Sequence, residues 1–467
     1  MGRTPPVLKS LRRKLGKSKI LNTPETGVVY SSDVNWRGNP PLAVIFPECA
    51  EDVSVAVRIA AECGTPVSTR GAGTGMSGGA VPSNGAIVLS MVRMKRIRIL
   101  EDEKIAVVEP GVITAKLQTE ALKRNLFYPS DPSSYKICTI GGNIAENAGG
   151  LRCLKYGVTA DFVLGTEFIN PEGDLIAAGC FTDYDSPVDI TPLLCGSEGT
   201  LGIIVKAALR LIDAPQAHLT MRAEFTTAIE AAKAVTAILN SRYSPCIMEM
   251  IDRQTLKAVT SFIKLDISPK TGAVLLIEYD EEADINRELG DKTSQLCRRF
   301  GATGLRIAES EEERENLWKL RRSISPSLTR LASGKINEDV AVPRGRIAEL
   351  MSFVEALSAE LNMPIPTYGH AGDGNMHVNF IFQKEDPAQV EAACQGVKKV
   401  FTEVIKMGGT ISGEHGIGLA KRDFLPMQLN PVNMTLQTDV KRCFDPGTLF
   451  NPDKMLPPRE VSSKHPA

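Results

Sequence analysis

Eleven residues near the front of the chain, Thr69-Arg70-Gly71-Ala72-Gly73-Thr74-Gly75-Met76-Ser77-Gly78-Gly79, limit its fold more than any other stretch. They follow a strand-like Thr65-Pro66-Val67-Ser68. Glycines let backbone N–H groups approach an anion closely, and consecutive turns form a nest for phosphate. Gly73 to Gly78 also match the pattern G-x-G-x-x-G. That pattern holds a dinucleotide when a helix starts directly after it, with its N-terminus on the pyrophosphate. Here Ala80-Val81-Pro82-Ser83-Asn84-Gly85 come next and break a helix, which argues against a Rossmann fold. A glycine loop with a purely structural role is the competing reading.

Two further runs of small residues follow: Thr139-Ile140-Gly141-Gly142-Asn143-Ile144-Ala145-Glu146-Asn147-Ala148-Gly149-Gly150, and Cys195-Gly196-Ser197-Glu198-Gly199-Thr200-Leu201-Gly202-Ile203-Ile204. Tyr128-Pro129-Ser130-Asp131-Pro132-Ser133 adds a stiff polar turn. Glycine-rich loops recurring between apolar strands suggest one extended, phosphate-bearing cofactor touched by all of them. Strand-like Ala43–Pro47 precedes a helix-like Asp52–Cys63, and Ile105–Gly111 precedes a helical Thr114–Asn125. This alternation runs to Leu211, and Asp213-Ala214-Pro215 reads as a boundary. Beyond it, Leu219–Phe225 and Ala273–Tyr279 read as strands. Ala228, Ala231, Ala232, Val235, Ile238 and Leu239 mark one face of a helix. Asn286–Phe300, Ile347–Leu361 and Asp386–Met407 read as helices too.

The chain has five histidines, and three fall in two short segments, Tyr368-Gly369-His370-Ala371-Gly372-Asp373-Gly374-Asn375-Met376-His377-Val378-Asn379 and Ser412-Gly413-Glu414-His415-Gly416. Asp373-Gly374 is a favoured two-residue hairpin turn. Counting outward from it sets His370 opposite His377, so both imidazoles reach one ion from the same side of a sheet. Glu414 offers an oxygen ligand. Two histidines, one carboxylate and an open position suit a catalytic divalent metal. His415, the next residue, points elsewhere and is available for proton transfer. The competing reading is a set of core or turn histidines bonded to backbone.

Composition removes other classes. At 467 residues and 43% hydrophobic content, the chain can bury a large core of two to three domains. A formal charge of −1 argues against nucleic acid as the main partner. The start is locally basic, with Arg3, Lys9, Arg12, Arg13, Lys14, Lys17 and Lys19 and no acid. It reads as a solvated arm or a short helix packed on the surface, or else as a dock for an acidic partner or membrane face. No apolar run approaches the ~20 residues of a membrane span, and the start lacks the apolar region of a signal peptide. Ten scattered cysteines without C-x-x-C spacing fit a reducing cytoplasm and leave no iron–sulfur motif in this chain. The acidic run Glu309–Glu315 reads as a solvated helix start leading into Leu317-Trp318-Lys319-Leu320-Arg321.

These segments resemble those of the flavin-linked 2-hydroxy-acid dehydrogenases of the vanillyl-alcohol oxidase fold. That group includes the glycolate oxidase flavin subunit, the D-lactate dehydrogenases and D-2-hydroxyglutarate dehydrogenase. The likeness runs from about Asn35 to Leu456. It rests on the three glycine segments, His-x-Gly-Asp-Gly-Asn-x-His, Gly-Glu-His-Gly, and Phe444-Asp445-Pro446-Gly447-Thr448-Leu449-Phe450-Asn451-Pro452. It implies an α+β protein: a two-part FAD-binding domain and an α+β cap domain with an extended antiparallel sheet. The expected boundaries are a basic N-terminal arm at 1–34, the FAD domain at 35–215, the cap at 216–408, and a return to the FAD domain at 409–467.

The resemblance implies noncovalent FAD with Arg70, Gly71, Ala72, Gly73, Thr74, Gly75 and Gly78 around its pyrophosphate. Pro132, Thr139, Gly142 and Asn143 would lie near the isoalloxazine. Gly149, Gly199 and Ile204 would add contacts, and the Asn451 segment would close over the cofactor. Some members of the fold attach FAD through a histidine of the first loop, but no histidine precedes His218 here.

The implied reaction is oxidation of a D-2-hydroxy acid such as D-lactate or glycolate to the 2-oxo acid. Arg321, Ser325, Lys335 and Asn379 would bind substrate, and His415 would take the hydroxyl proton. Zinc, manganese, iron or cobalt would sit on His370, His377 and Glu414. Arg321 equally suits a surface helix. The spacing around Ser325 and Lys335 departs by about one residue from D-2-hydroxyglutarate dehydrogenase, which leaves a second-carboxylate site unsupported. Electrons would pass to an iron–sulfur subunit, an electron-transferring flavoprotein or a quinone, in a cytoplasmic protein reaching a membrane through a partner. Two rival readings keep the flavin: a redox-neutral transferase of the alkyl-dihydroxyacetone-phosphate synthase type, and a non-catalytic electron relay.

Overall fold

The computed structural model describes residues 5–181, 189–241 and 244–457. Arg3 of the basic start lies outside them. The chain forms two compact units: one takes the chain up to Gly149, Val158–Ala214 and Glu414 onward, the other Gly150–Gly157 and Pro215–Gly413. Among the described residues no helix is long and apolar enough to cross a membrane.

The first unit begins with a strand–helix–strand turn. Strands Ala43–Ile45 and Val67–Arg70 both run parallel to Ile87–Ser90, with Ile20–Leu21 at the edge. The connecting helix Ala50–Glu62 buries Val53, Ala56, Val57 and Ala60, the one-face spacing of an amphipathic helix. The glycine loop leaves Val67–Arg70 and reaches Ile87–Ser90 with no helix between, as Pro82 and Gly85 dictate. A second, antiparallel sheet orders Ile97–Leu100, Ile105–Val108, Ile203–Arg210, Val163–Ile169 and Leu175–Gly179. The C-terminal segment returns to the first sheet: Val67 N–H donates to Leu449 O at 2.8 Å, and Asn451 N–H donates to Val67 O at 2.9 Å.

The basic start is a docked helix. Pro6–Leu15 buries Val7, Leu8 and Leu11 in one core with Val53, Val57 and Ala60, while Lys9, Arg13 and Lys14 face water. Lys19 pairs with Asp52 at 2.6 Å, tying the segment to the helix beneath.

The second unit is built on a seven-stranded antiparallel sheet. Its order is Gly304–Ile307, Leu219–Phe225, Ala273–Tyr279, Ile247–Asp252, Thr367–His370, Asn375–Phe382 and Gly334–Ala341. Side chains alternate between faces along each strand. One face presents Met221, Ala223, Phe225, Leu275, Ile277, Met248, Met250, Met376, Val378 and Phe380, all buried. Helices Ala228–Leu239, Ala283–Arg299, Ile347–Glu360 and Pro387–Lys406 carry further buried residues, and Arg253–Thr260, Glu311–Arg322 and Ile324–Leu328 form a second apolar cluster with the sheet. The opposite face mixes apolar Ile247, Ile251, Val274, Leu276 and Tyr368 with charged and polar residues. Register places Arg222 beside Leu276, Leu276 beside Glu249, Glu249 beside His370, and Asp339 beside His377.

The hairpin register differs from the sequence expectation. His370 faces Asn375 and Tyr368 faces His377, so the turn takes four residues, Ala371–Gly374, instead of two. Gly374 explains this: its φ is +87°, and a Cβ there would lie 2.1 Å from Val342 O. The shift preserves side-chain parity, so His370 and His377 share a face as diagonal neighbours with ring centroids 5.4 Å apart.

Truncating the docked helix tests its place in the core. Leu11→Ala is expected to destabilise the first unit by about 2–5 kcal/mol in urea unfolding, and Lys9→Ala by less than about 0.5 kcal/mol. Equal, small effects would mean that the helix is not docked.

Candidate active site

The glycine loops of the first unit enclose an open cleft. Gly71, Ala72, Gly73, Thr74 and Gly75 form one wall. Pro132, Thr139, Gly142, Asn143 and Gly149 form another, and Gly199, Ile204 and Asn451 a third. Glu414 and His415 also line it. Arg70 and Gly78 are not among its walls. Arg70 spends its guanidinium on Ser32 O at 2.7 Å and Ala80 O at 3.3 Å, over the Tyr30 ring, and so fixes the loop from behind. Gly78 N–H donates to Asp33 Oδ2 at 2.7 Å. Side chains on the loop would close the cleft's wall. A Cβ on Gly71 would lie 2.2 Å from Thr139 Oγ1, and one on Gly73 2.0 Å from Arg70.

The cleft fits FAD by the polar atoms it leaves over. Thr69 Oγ1, Glu146 Oε2 and Asn451 Oδ1 are buried without a protein partner, and all three residues line the cleft. Such atoms cost stability unless a ligand or water satisfies them. Sequence reasoning passed over the acid pair here. Glu198 accepts N–H bonds from Ile417 at 2.7 Å and Gly418 at 2.8 Å, anchoring the turn after His415. Burial pushes both Glu198 and Glu146 above the usual carboxylate range, Glu146 further because Glu198 lies beside it. Ser77 Oγ donates to His415 O at 2.8 Å, so the backbone of that segment is held from two sides.

The mixed face of the second unit's sheet carries the rest. Glu249 and Asp339 are both 0% exposed. Glu249 Oε1 lies 2.5 Å from His370 Nδ1, and its Oε2 accepts from Arg321 Nε. Asp339 Oδ1 lies 3.9 Å from His377 Nδ1, and its Oδ2 accepts from Gly413 N–H at 2.9 Å. Burial raises the Glu249 carboxyl, but His370 and Arg321 outweigh it and hold it at about 2. Arg321 also stacks on Tyr368, 4.9 Å from the ring centroid. A carboxylate behind each imidazole is the arrangement that orients metal-ligating histidines. The donor set therefore fits a divalent cation.

The remaining expected substrate residues fall in two settings. Asn379 is fully buried opposite Asn337, and the Oδ1 of each is buried without a protein partner. Lys335 is half-buried two residues along the same strand face, where burial lowers its pKa. Ser325 is exposed on the short helix Ile324–Leu328. Glu249 and Asp339 gave no motif in the sequence. Along its own strand Glu249 alternates with Met248 and Met250, and Asp339 is followed by Val340.

Two family profiles match: "FAD binding domain" over residues 41–179 and "FAD linked oxidases, C-terminal domain" over residues 214–455. The chain is 37% identical over 432 residues to the glycolate oxidase subunit GlcD of Bacillus subtilis, covering 92% of each protein. It is 31% identical to a D-2-hydroxyglutarate dehydrogenase of Stutzerimonas stutzeri, covering 97% of this chain and 99% of that one. The solved structure of p-cresol methylhydroxylase with substrate bound superposes with a TM-score of 0.81 at 17% identity, covering 97% of this chain and 96% of that one. The fold is thus the two-domain FAD-binding fold of vanillyl-alcohol oxidase type, and the chain is an enzyme. It belongs to the FAD-linked oxidase family.

Closing the cleft wall tests the cofactor reading. Gly71→Val is expected to yield folded protein with flavin absorbance reduced at least about tenfold relative to protein absorbance. Full flavin occupancy in that variant would place the cofactor elsewhere.

Proposed function

We propose that this protein is an FAD- and divalent-metal-dependent dehydrogenase that oxidises a D-2-hydroxy acid to the 2-oxo acid and passes the electrons to a partner protein or quinone. The observation that carries this reading is the buried polar row of the second unit. Two imidazoles, each backed by a wholly buried carboxylate, stand beside an arginine clamped on one of those carboxylates. Each of these buried ionisable groups costs desolvation that an apolar residue avoids. The relatives named above act on glycolate and D-2-hydroxyglutarate, which supports a 2-hydroxy acid as substrate class.

FAD, when bound, supplies the acceptor for the hydride that leaves C2. A divalent cation, when bound, supplies a Lewis acid that lowers the pKa of the substrate hydroxyl. The two histidine motifs nominate His370, His377 and Glu414 as its ligands. Arg321 offers a planar guanidinium whose fork matches a carboxylate. The orphaned Oδ1 atoms of Asn337 and Asn379 accept from substrate hydroxyl or water, and Lys335 adds a cation along the same strand face. His415 takes the hydroxyl proton as general base.

Anaerobic addition of D- and L-2-hydroxy acids to the flavin-loaded protein is the test. Bleaching by a D-acid is expected, abolished by chelator and restored by Mn²⁺. His415→Ala should slow bleaching by about 10²–10⁴-fold at unchanged flavin content. A bound flavin that no hydroxy acid reduces, with metal supplied, would overturn the proposal.

A further inference from the structure

We infer that Glu249 is a positioning residue that sets two functional side chains at once, and this inference rests on the metal and arginine roles proposed above. Glu249 lies on the strand Ile247–Asp252, directly opposite His370 in the register. Its neighbours on the strand alternate with it: Met248 and Met250 point to the apolar face. Glu249 is therefore the ionisable group at this crossing of the sheet, and it is wholly buried.

The two oxygens divide the work. Oε1 meets His370 Nδ1 at 2.5 Å, and Oε2 takes Arg321 Nε. A bond at Nδ1 selects the tautomer and turns the opposite nitrogen, Nε2, toward a ligand. The bond to Nε holds the guanidinium over Tyr368. Arg321 comes from the helix Glu311–Arg322 and His370 from the strand Thr367–His370. One carboxylate thus joins groups from two elements of the second unit. Asp339 gives His377 a looser counterpart at 3.9 Å, its second oxygen being taken by the Gly413 backbone. The Glu249–His370 pair also holds an arginine.

A role in position depends on side-chain length as well as charge, and two variants separate these. Glu249→Gln keeps the shape and removes the charge. Glu249→Asp keeps the charge and shortens the reach by one methylene, so it cannot satisfy both partners. The readouts are Mn²⁺ titration into metal-stripped, flavin-loaded protein by calorimetry, and pyruvate binding to the same protein. Both variants are expected to weaken Mn²⁺ by about 10–100-fold, and Glu249→Asp should also weaken pyruvate. Should the Gln variant fail to fold, the Asp variant carries the test, because a mere charge-balancing role predicts wild-type affinities for it. Wild-type Mn²⁺ and pyruvate affinities in Glu249→Asp would overturn the inference. A wild-type protein that binds no Mn²⁺ would instead remove the proposed metal role on which the inference stands.

Discussion

The second unit depends on keeping a buried carboxylate charged. Taking Glu249 out of water disfavours its ionised form, and the sheet offsets this by placing an imidazole on one oxygen and a guanidinium on the other. The net result is a carboxyl held at about 2, far below an ordinary glutamate. Removing one partner would leave an uncompensated buried charge, which costs more than the pair contributes. The strands that carry Glu249 and His370, and the helix that carries Arg321, are therefore coupled through one group. The alternation of the sheet makes this possible, because Met248 and Met250 pack on one face of the strand while Glu249 projects to the other.

The first unit solves a different problem with glycine. Its loops approach one another so closely that a methyl group would strike Thr139 or Arg70. Their bare backbone leaves room for a flat, phosphate-bearing cofactor, while Thr69, Glu146 and Asn451 hold polar atoms that the protein leaves unsatisfied. The C-terminal strand contact through Val67 brings Asn451 back to this wall from the far end of the chain.

Much of this was legible in the residues. Pro82 and Gly85 excluded a helix after the glycine loop, and the loop runs straight into a strand. The helical spacing of Ala231, Ala232, Val235 and Ile238 reads directly as the buried face of Ala228–Leu239. The hairpin was legible in kind but not in register, because Asp-Gly favours a two-residue turn locally while the carbonyl of Val342 requires glycine at 374 in a wider one. Arg70 looked like an anion ligand because it sits in an anion loop, and its actual acceptors, two backbone carbonyls, leave no trace in a motif. Glu249 and Asp339 were missed for a related reason. Their partners lie 121 residues away in the case of His370, and no local pattern announces a cross-strand neighbour at that distance.

The central claim is that the mixed face of the seven-stranded sheet holds a divalent metal through His370 and His377. X-ray absorption at the zinc edge of zinc-loaded protein tests it most directly. The account predicts two imidazole ligands at about 2.0–2.1 Å, falling to one in His377→Ala. A shell of oxygen ligands alone, unchanged in that variant, would contradict it.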